Sequence, residues 1–252
     1  MKRLMVVAAL TLAGSAWGAA ETAERTPRTP EQMEAIRARR HAKFLNRTGG
    51  YVIRRDKDAK AFRFVNAQKR VPAAAFAQAL ATMEDFFRVD FAFADGTFGG
   101  KGEKGVVYLV DDPALPCLQI APEEGWGTLN VAKLGDENVN ERAAKELWRA
   151  FAFVAGAADT EMPHCLMHPV FGPAELDFAK AKTICPEPIG KMRKHLRLMG
   201  IKEYDRQTYQ KACEQGWAPA PTNEVQKAIW DKVHQMPTEP IKIKPETKKV
   251  SE

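Results

Sequence analysis

Apolar and polar positions alternate or recur along the chain in a way that assigns most of its elements. Residues 31–44 (EQMEAIRARRHAKF) carry a thin apolar stripe on a charged background, the pattern of a charged surface helix. Residues 51–65 read as two short strands around a polar turn, with Phe62 and Phe64 alternating with Arg63. Pro72 marks a helix start, and Phe76, Leu80, Met83 and Phe87 then fall on one helical face. Residues 89–93 (VDFAF) alternate as a strand, and 106–110 (VVYLV) form a buried one. Two more strands are predicted at 118–121 and 128–134, separated by the loop 122–127. The most apolar helix runs from Glu141 to about Ala157, with Leu147, Ala150, Phe151, Val154 and Ala158 along one side. Trp148 and Phe153 add bulk on its other sides, so it is expected to be buried on most faces. Asn138 or Asn140 is expected to cap it, Asn138 having Glu141 at capping-box spacing, and Gly156 to end it. Three further helices are predicted at 188–199, 204–214 and 223–235, the last with a capping box of Asn223 and Gln226. Trp217 and Trp230 are expected to anchor a core.

The fold class that follows is α+β: a small mixed sheet packed on a buried central helix, followed by a C-terminal helical region. The ends have a different character. Lys2 and Arg3, the apolar run 4–12 and the small residues that follow have the order of a secretion signal, with cleavage expected after Gly18 or Ala20. The expected organisation is a signal at 1–20, a charged helix and linker at 21–50, one α+β domain at 51–235, and an extended, Pro-containing tail at 236–252.

Composition narrows the function classes. The chain has 252 residues, 45% hydrophobic and 28% charged, which fits folded protein and excludes a disordered or low-complexity chain. Loss of Lys2 and Arg3 with the signal lowers the formal net charge of +6 to +4. The basic clusters at Arg37, Arg39, Arg40 and at Lys248, Lys249 read as solvated surface, so no nucleic-acid partner is expected. No transmembrane segment is expected after signal removal. In an exported chain four cysteines suggest two disulfides. Three pairings exist; Cys165 with Cys185 is the local one, which would leave Cys117 with Cys213. No CxxC pair points to zinc or to a redox site.

Candidate chemistry is sparse. The glycine-rich stretch 96–105 lacks the order of a phosphate-binding loop. No GxSxG is present. Asp111 and Asp112 read as a strand-end turn, and Asn46-Arg47-Thr48 matches a glycosylation triplet. His164 and His168 are four apart, with Cys165 between them and Glu161 nearby. On a helix they would share a metal, but Pro163 and Pro169 bracket them, so a turn is expected instead. His41, His195 and His234 read as isolated surface residues.

The order of sheet, buried helix ending in Gly and turn carrying Met resembles the metzincin superfamily of zinc peptidases, including its archaemetzincin-like branch. In that superfamily the helix bears HExxHxxGxxH. The matching helix here is RAFAFVAG, residues 149–156. The resemblance places the ligand positions at Arg149, Phe153 and Asp159 and the glutamate position at Ala150, keeps Gly156, and puts Met167 at the Met of the turn. An arginine and a phenyl ring have no lone pair for a zinc ion, and alanine cannot accept a proton. The resemblance therefore implies a degenerate centre with no catalytic residue and no cofactor. It implies a groove bordered by Glu123, Glu124, Trp126, Ala150 and Met167, and either a binding role towards protein or peptide or a structural role. The alternatives are a secreted hydrolase with a noncanonical site at Glu161, His164 and His168, and an unrelated interaction scaffold. Residues 216–234, with RAFAFVAG and HCLMHPVF (164–171), are also similar to a group of exported bacterial proteins without an assigned activity.

Overall fold

The computed structural model describes residues 29–99, 103–163, 165–179 and 184–235. The expected signal, residues 1–20, and tail, 236–252, lie outside the described residues.

Helix α1 (Pro30–Thr48) begins at a capping box that the apolar pattern alone does not announce. Thr29 accepts from Gln32 N at 3.2 Å, and Gln32 Oε1 accepts from Thr29 N at 3.1 Å. The helix is largely exposed, as its thin stripe predicts. Its glycosylation triplet ends on Thr48, which is buried and donates to Phe44 O at 2.8 Å. The two strands predicted in residues 51–65 are β1 (Tyr51–Arg54) and β2 (Phe62–Asn66), but they do not share a sheet. β1 pairs antiparallel with β7 (Asp205–Thr208) in a separate two-stranded sheet.

The main sheet has the order β3-β2-β4-β6-β5. β3 (Phe91–Asp95), β2, β4 (Val106–Val110) and β6 (Trp126–Asn130) run parallel, and β5 (Leu118–Ala121) pairs antiparallel with β6 at the edge. This is the mixed sheet of the predicted α+β class. Helices α2 (Ala74–Phe87) and α3 (Val139–Val154) cover one face. There Phe62, Phe64, Val107, Leu109 and Leu129 from the strands meet Phe76, Met83 and Phe87 from α2 and Leu147, Phe151 and Val154 from α3. Phe151 is central: its ring lies 4.8 Å from Phe62, 4.7 Å from Phe87 and 5.0 Å from Phe91. Strand alternation sends Val106, Tyr108 and Trp126 to the opposite face, where they form a smaller cluster. Gly127 lets α3 approach, since a Cβ there would lie 2.6 Å from Ile120 Cδ1 and 3.1 Å from both Gln119 O and Val154 Cγ2.

Several boundaries differ from the sequence pattern. Trp126 and Gly127, expected in a loop, begin β6, and the strand stops at Asn130. Asn130 caps a 3-10 turn over Val131–Lys133 by accepting from Ala132 N. Asn138 stands at the start of α3 but with φ 51° and ψ 23° and no capping hydrogen bond from its side chain. α4 (Pro173–Phe178) and α5 (Pro186–Leu198) follow. The helix expected over 204–214 is half strand: β7 occupies its first part and α6 (Tyr209–Glu214) its second, because pairing with β1 outweighs local helix preference. α7 (Glu224–Gln235) keeps half of its expected box. Asn223 Oδ1 accepts from Gln226 N at 3.0 Å, while the Gln226 side chain turns away to Thr222 and Gly49.

Trp217 and Trp230 are half-buried rather than core anchors: Arg54 lies over the Trp217 ring at 4.8 Å and His234 stacks on Trp230 at 4.1 Å. Cys165 and Cys185 form the local disulfide, with Cα atoms 5.7 Å apart. The second expected disulfide is absent among the described residues. Cys117 is a half-buried thiol beside the main sheet and Cys213 a buried one in α6. No helix among the described residues is long and apolar enough to cross a membrane.

Candidate functional site

α3 carries polar residues into the core. Arg142, Glu146 and Arg149 are buried beside Ala143, Leu147, Trp148 and Ala150 of the same helix. Spacings of three and four place these three side chains along one stripe. Each must find partners, because a buried charge without them costs several kcal/mol. Arg142 finds Asp177 of α4, donating from Nε to Oδ1 at 2.9 Å and from Nη2 to Oδ2, and Leu134 O at 2.8 Å. This pairing holds the Asp177 carboxyl below the usual carboxylate range. With Lys145 Nζ donating to Leu176 O at 2.7 Å, it fixes α4 against α3.

Between α3, α4 and β5 lies a cleft of about 600 Å³. Arg149, Phe153 and Asp159 line it together, the three positions singled out by the resemblance. Arg149 is 5% exposed. Its Nη1 donates to Leu166 O and, at 2.7 Å, to His168 O. Those carbonyls flank Met167, which is fully buried in the main core. The arginine thus ties the methionine turn to the central helix. Its guanidinium also lies 5.4 Å from the Phe153 ring centre. A metal ion does not fit this arrangement: a guanidinium and a phenyl ring offer no ligand, and the cation opposes a second positive charge.

Glu146 was not apparent as a functional residue from the sequence. It is 2% exposed and lines the same cleft. Its Oε1 lies 3.1 Å from Arg149 Nε, an ion contact in which the N–H is not aimed at the oxygen, and its Oε2 has no hydrogen-bond partner among the described residues. Burial pushes the Glu146 carboxyl up to about 7, against the pull of Arg149. Cys117, across the cleft, has its thiol pushed up to about 12 by burial, with Glu146 adding to the rise, which favours the protonated thiol at neutral pH. A charged pair three apart, Glu146 and Arg149, bracketing Leu147 and Trp148 just before the apolar run 150–155, is the signal that would have found this site.

The groove expected from Glu123, Glu124, Trp126, Ala150 and Met167 is not assembled. Ala150 and Met167 are fully buried behind the cleft. Glu123 and Glu124 are exposed on the turn between β5 and β6, where Glu124 accepts from Trp126 Nε1 at 2.8 Å, and Trp126 belongs to the sheet's other face. The reason is strand parity: Trp126 lies inside β6, not in a loop free to fold over α3. His168 is exposed in a non-helical turn, its Nδ1 3.2 Å from Thr160 O, and Glu161 lines a separate recess with Lys191 and Pro188. His164 lies outside the described residues. His195, expected at the surface, is half-buried under Gly156, with Nε2 2.8 Å from Pro122 O. Gly156 has φ +83°, and a Cβ there would lie 3.3 Å from the His195 ring.

No family model and no curated protein matches the chain. Among solved structures, an archaemetzincin from Methanopyrus kandleri is similar at 17% identity and a TM-score of 0.47, over 57% of this chain and 98% of that one. A zinc-dependent peptidase from Methanocorpusculum labreanum is similar at 12% identity and a TM-score of 0.41, over 52% and 99%. An archaemetzincin from Archaeoglobus fulgidus, solved with malonate, is similar at 14% identity and a TM-score of 0.40, over 51% and 98%.

Proposed function

We propose that this chain is an exported, metzincin-like protein without peptidase activity, which binds an extended peptide or protein segment in the cleft beside α3. The observation that carries the reading is Arg149. A buried cation occupies the position where the resemblance expects the first zinc ligand, and it is held there by Glu146 and by two carbonyls of the methionine turn. Chemistry that needs a metal-bound water has no place to begin at such a centre. The cleft itself remains open, with Leu118, Leu134, Phe153, Val170 and Phe171 as apolar walls. Beside it, among the described residues, β5 pairs only with β6, and its other edge could take an extended segment. The secretion-signal pattern in residues 1–20 and the Cys165–Cys185 disulfide support export.

The test uses the full chain and a casein digest, with and without added zinc. Peptides from the digest are expected to be retained by the immobilised protein, to be lost with Phe153→Lys, and to show no new termini by mass spectrometry. Zinc-dependent new termini that vanish with His164→Ala or His168→Ala would overturn the non-catalytic reading. Equal retention by Phe153→Lys would remove the cleft from it.

A further inference from the structure

The sheet face turned away from α3 holds a second recess, of about 600 Å³, that shares no lining residue with the cleft. Register builds its floor. Gln119 of β5, Thr128 of β6 and Tyr108 of β4 lie side by side across three strands, and their neighbours Leu129 and Leu109 face the core on the other side. Trp126 and Phe98 form an aromatic wall, their ring centres 6.2 Å apart, and Phe98 also meets Tyr108 edge-on at 4.9 Å. Phe98 is 49% exposed although the aromatic neighbours it touches are buried. Asp111 and Asp112, just beyond the end of β4, also line the recess.

Two features of this recess point to a ligand. Thr128 is 2% exposed, lines the recess, and its Oγ1 has no hydrogen-bond partner among the described residues. A buried hydroxyl left unpaired is a cost that a bound donor or acceptor removes. The charge in the described lining is also one-sided: among the described residues, Asp111 and Asp112 are its only charged ones. Arg63 pairs with Glu103, and Lys133 donates to Pro113 O at 2.7 Å. Asp112 spends one oxygen on Ala114 N at 2.9 Å and keeps the other.

We infer that this recess binds a small organic cation, an alkylammonium, through the carboxylates of Asp111 and Asp112 and the faces of Phe98 and Trp126. The ammonium sits on the acidic rim and donates to the carboxylates. The aliphatic stem buries apolar surface along the aromatic wall, and the ring quadrupoles attract the ammonium at its end. Thr128 Oγ1 and the Gln119 amide offer neutral hydrogen bonds at the floor. A neutral sugar would use the aromatic wall but leave two carboxylates without a counter-charge, so the amine is the better fit.

The test is titration calorimetry on the full chain with hexylamine, with hexanol and glucose as neutral probes. Hexylamine is expected to bind, with hexanol at least about tenfold weaker, the difference a charge held between carboxylates and aromatic rings supplies. The Asp111→Asn, Asp112→Asn double variant and Phe98→Ala are each expected to weaken hexylamine about tenfold or more. These residues are exposed, so circular dichroism should show the fold retained. Thr128→Val, which matches the side chain's shape, should weaken binding while keeping the fold. Absence of hexylamine binding at millimolar concentration, equal binding of hexanol, preference for glucose, or indifference to the double Asn variant would each overturn the inference.

Discussion

Glu146 concentrates the physics of this molecule at a single residue. Its carboxyl rises from an ordinary 4.5 to about 7 because burial outweighs the adjacent guanidinium. The native state therefore keeps a proton that the unfolded chain has released, and stability falls as pH rises from about 4.5 through 7. The shift corresponds to about 3 kcal/mol at full ionisation. Glu146→Gln keeps the shape without the charge. Its stability relative to wild type is expected to improve by up to about 3 kcal/mol between pH 4 and pH 8, read from urea midpoints at both pH values. A difference that stays flat over that range would mean that Glu146 does not titrate there. Arg149 was legible in the sequence because the resemblance put it where a ligand belongs. Glu146 was not, because a glutamate on a helix ordinarily reads as solvated.

At the scale of elements, α3 and the turn at 159–172 behave as one unit. Arg149 donates to Leu166 O and His168 O, Thr160 N donates to Met167 O at 3.0 Å, and the disulfide joins the turn to the start of α5. The bridge closes a loop of 20 residues' separation, for which restriction of the unfolded chain is worth about 3 kcal/mol. A Cys165→Ala, Cys185→Ala variant is expected to lose about that much stability, and hydrogen exchange in residues 159–172 should rise while that of β4 and β6 changes little. Equal acceleration throughout would show that the turn does not open separately. The pairing was one of three that the sequence left open. Cys117 and Cys213 remain apart because the sheet and α6 hold them in different parts of the core, a distance that no spacing rule encodes.

Across the whole molecule, α1, α6, α7 and the β1–β7 ribbon form a second group of elements, with its own contacts. Gln226 ties this group: its Nε2 donates to Gly49 O at 2.9 Å in a buried position, and its Oε1 accepts from Thr222 N and Oγ1. Gln226→Leu leaves these groups unpaired. It is expected to cost about 1–3 kcal/mol and to expose α1 and α7 to hydrogen exchange before α3. A variant as stable as wild type would show that water replaces the side chain without loss. The sequence presented Gln226 as a local capping residue; the fold uses it across 177 positions of chain.

Local pattern was enough for the alternation of β2, the buried run of β4, the apolar face of α2 and the burial of α3 on most of its faces. These depend on side chains a few residues apart, and their periods survive in any context. It was also enough to show that Arg149 and Phe153 cannot hold a metal, since that is a property of the side chains alone. Only tertiary structure could decide that β1 leaves β2 to pair with β7, that Trp126 faces away from α3, and that Glu146 shares a cleft with Arg149 and Cys117. Strand partners, sheet faces and desolvation are set by residues distant in the chain, whose combined packing and hydrogen bonding outweigh each segment's own preference.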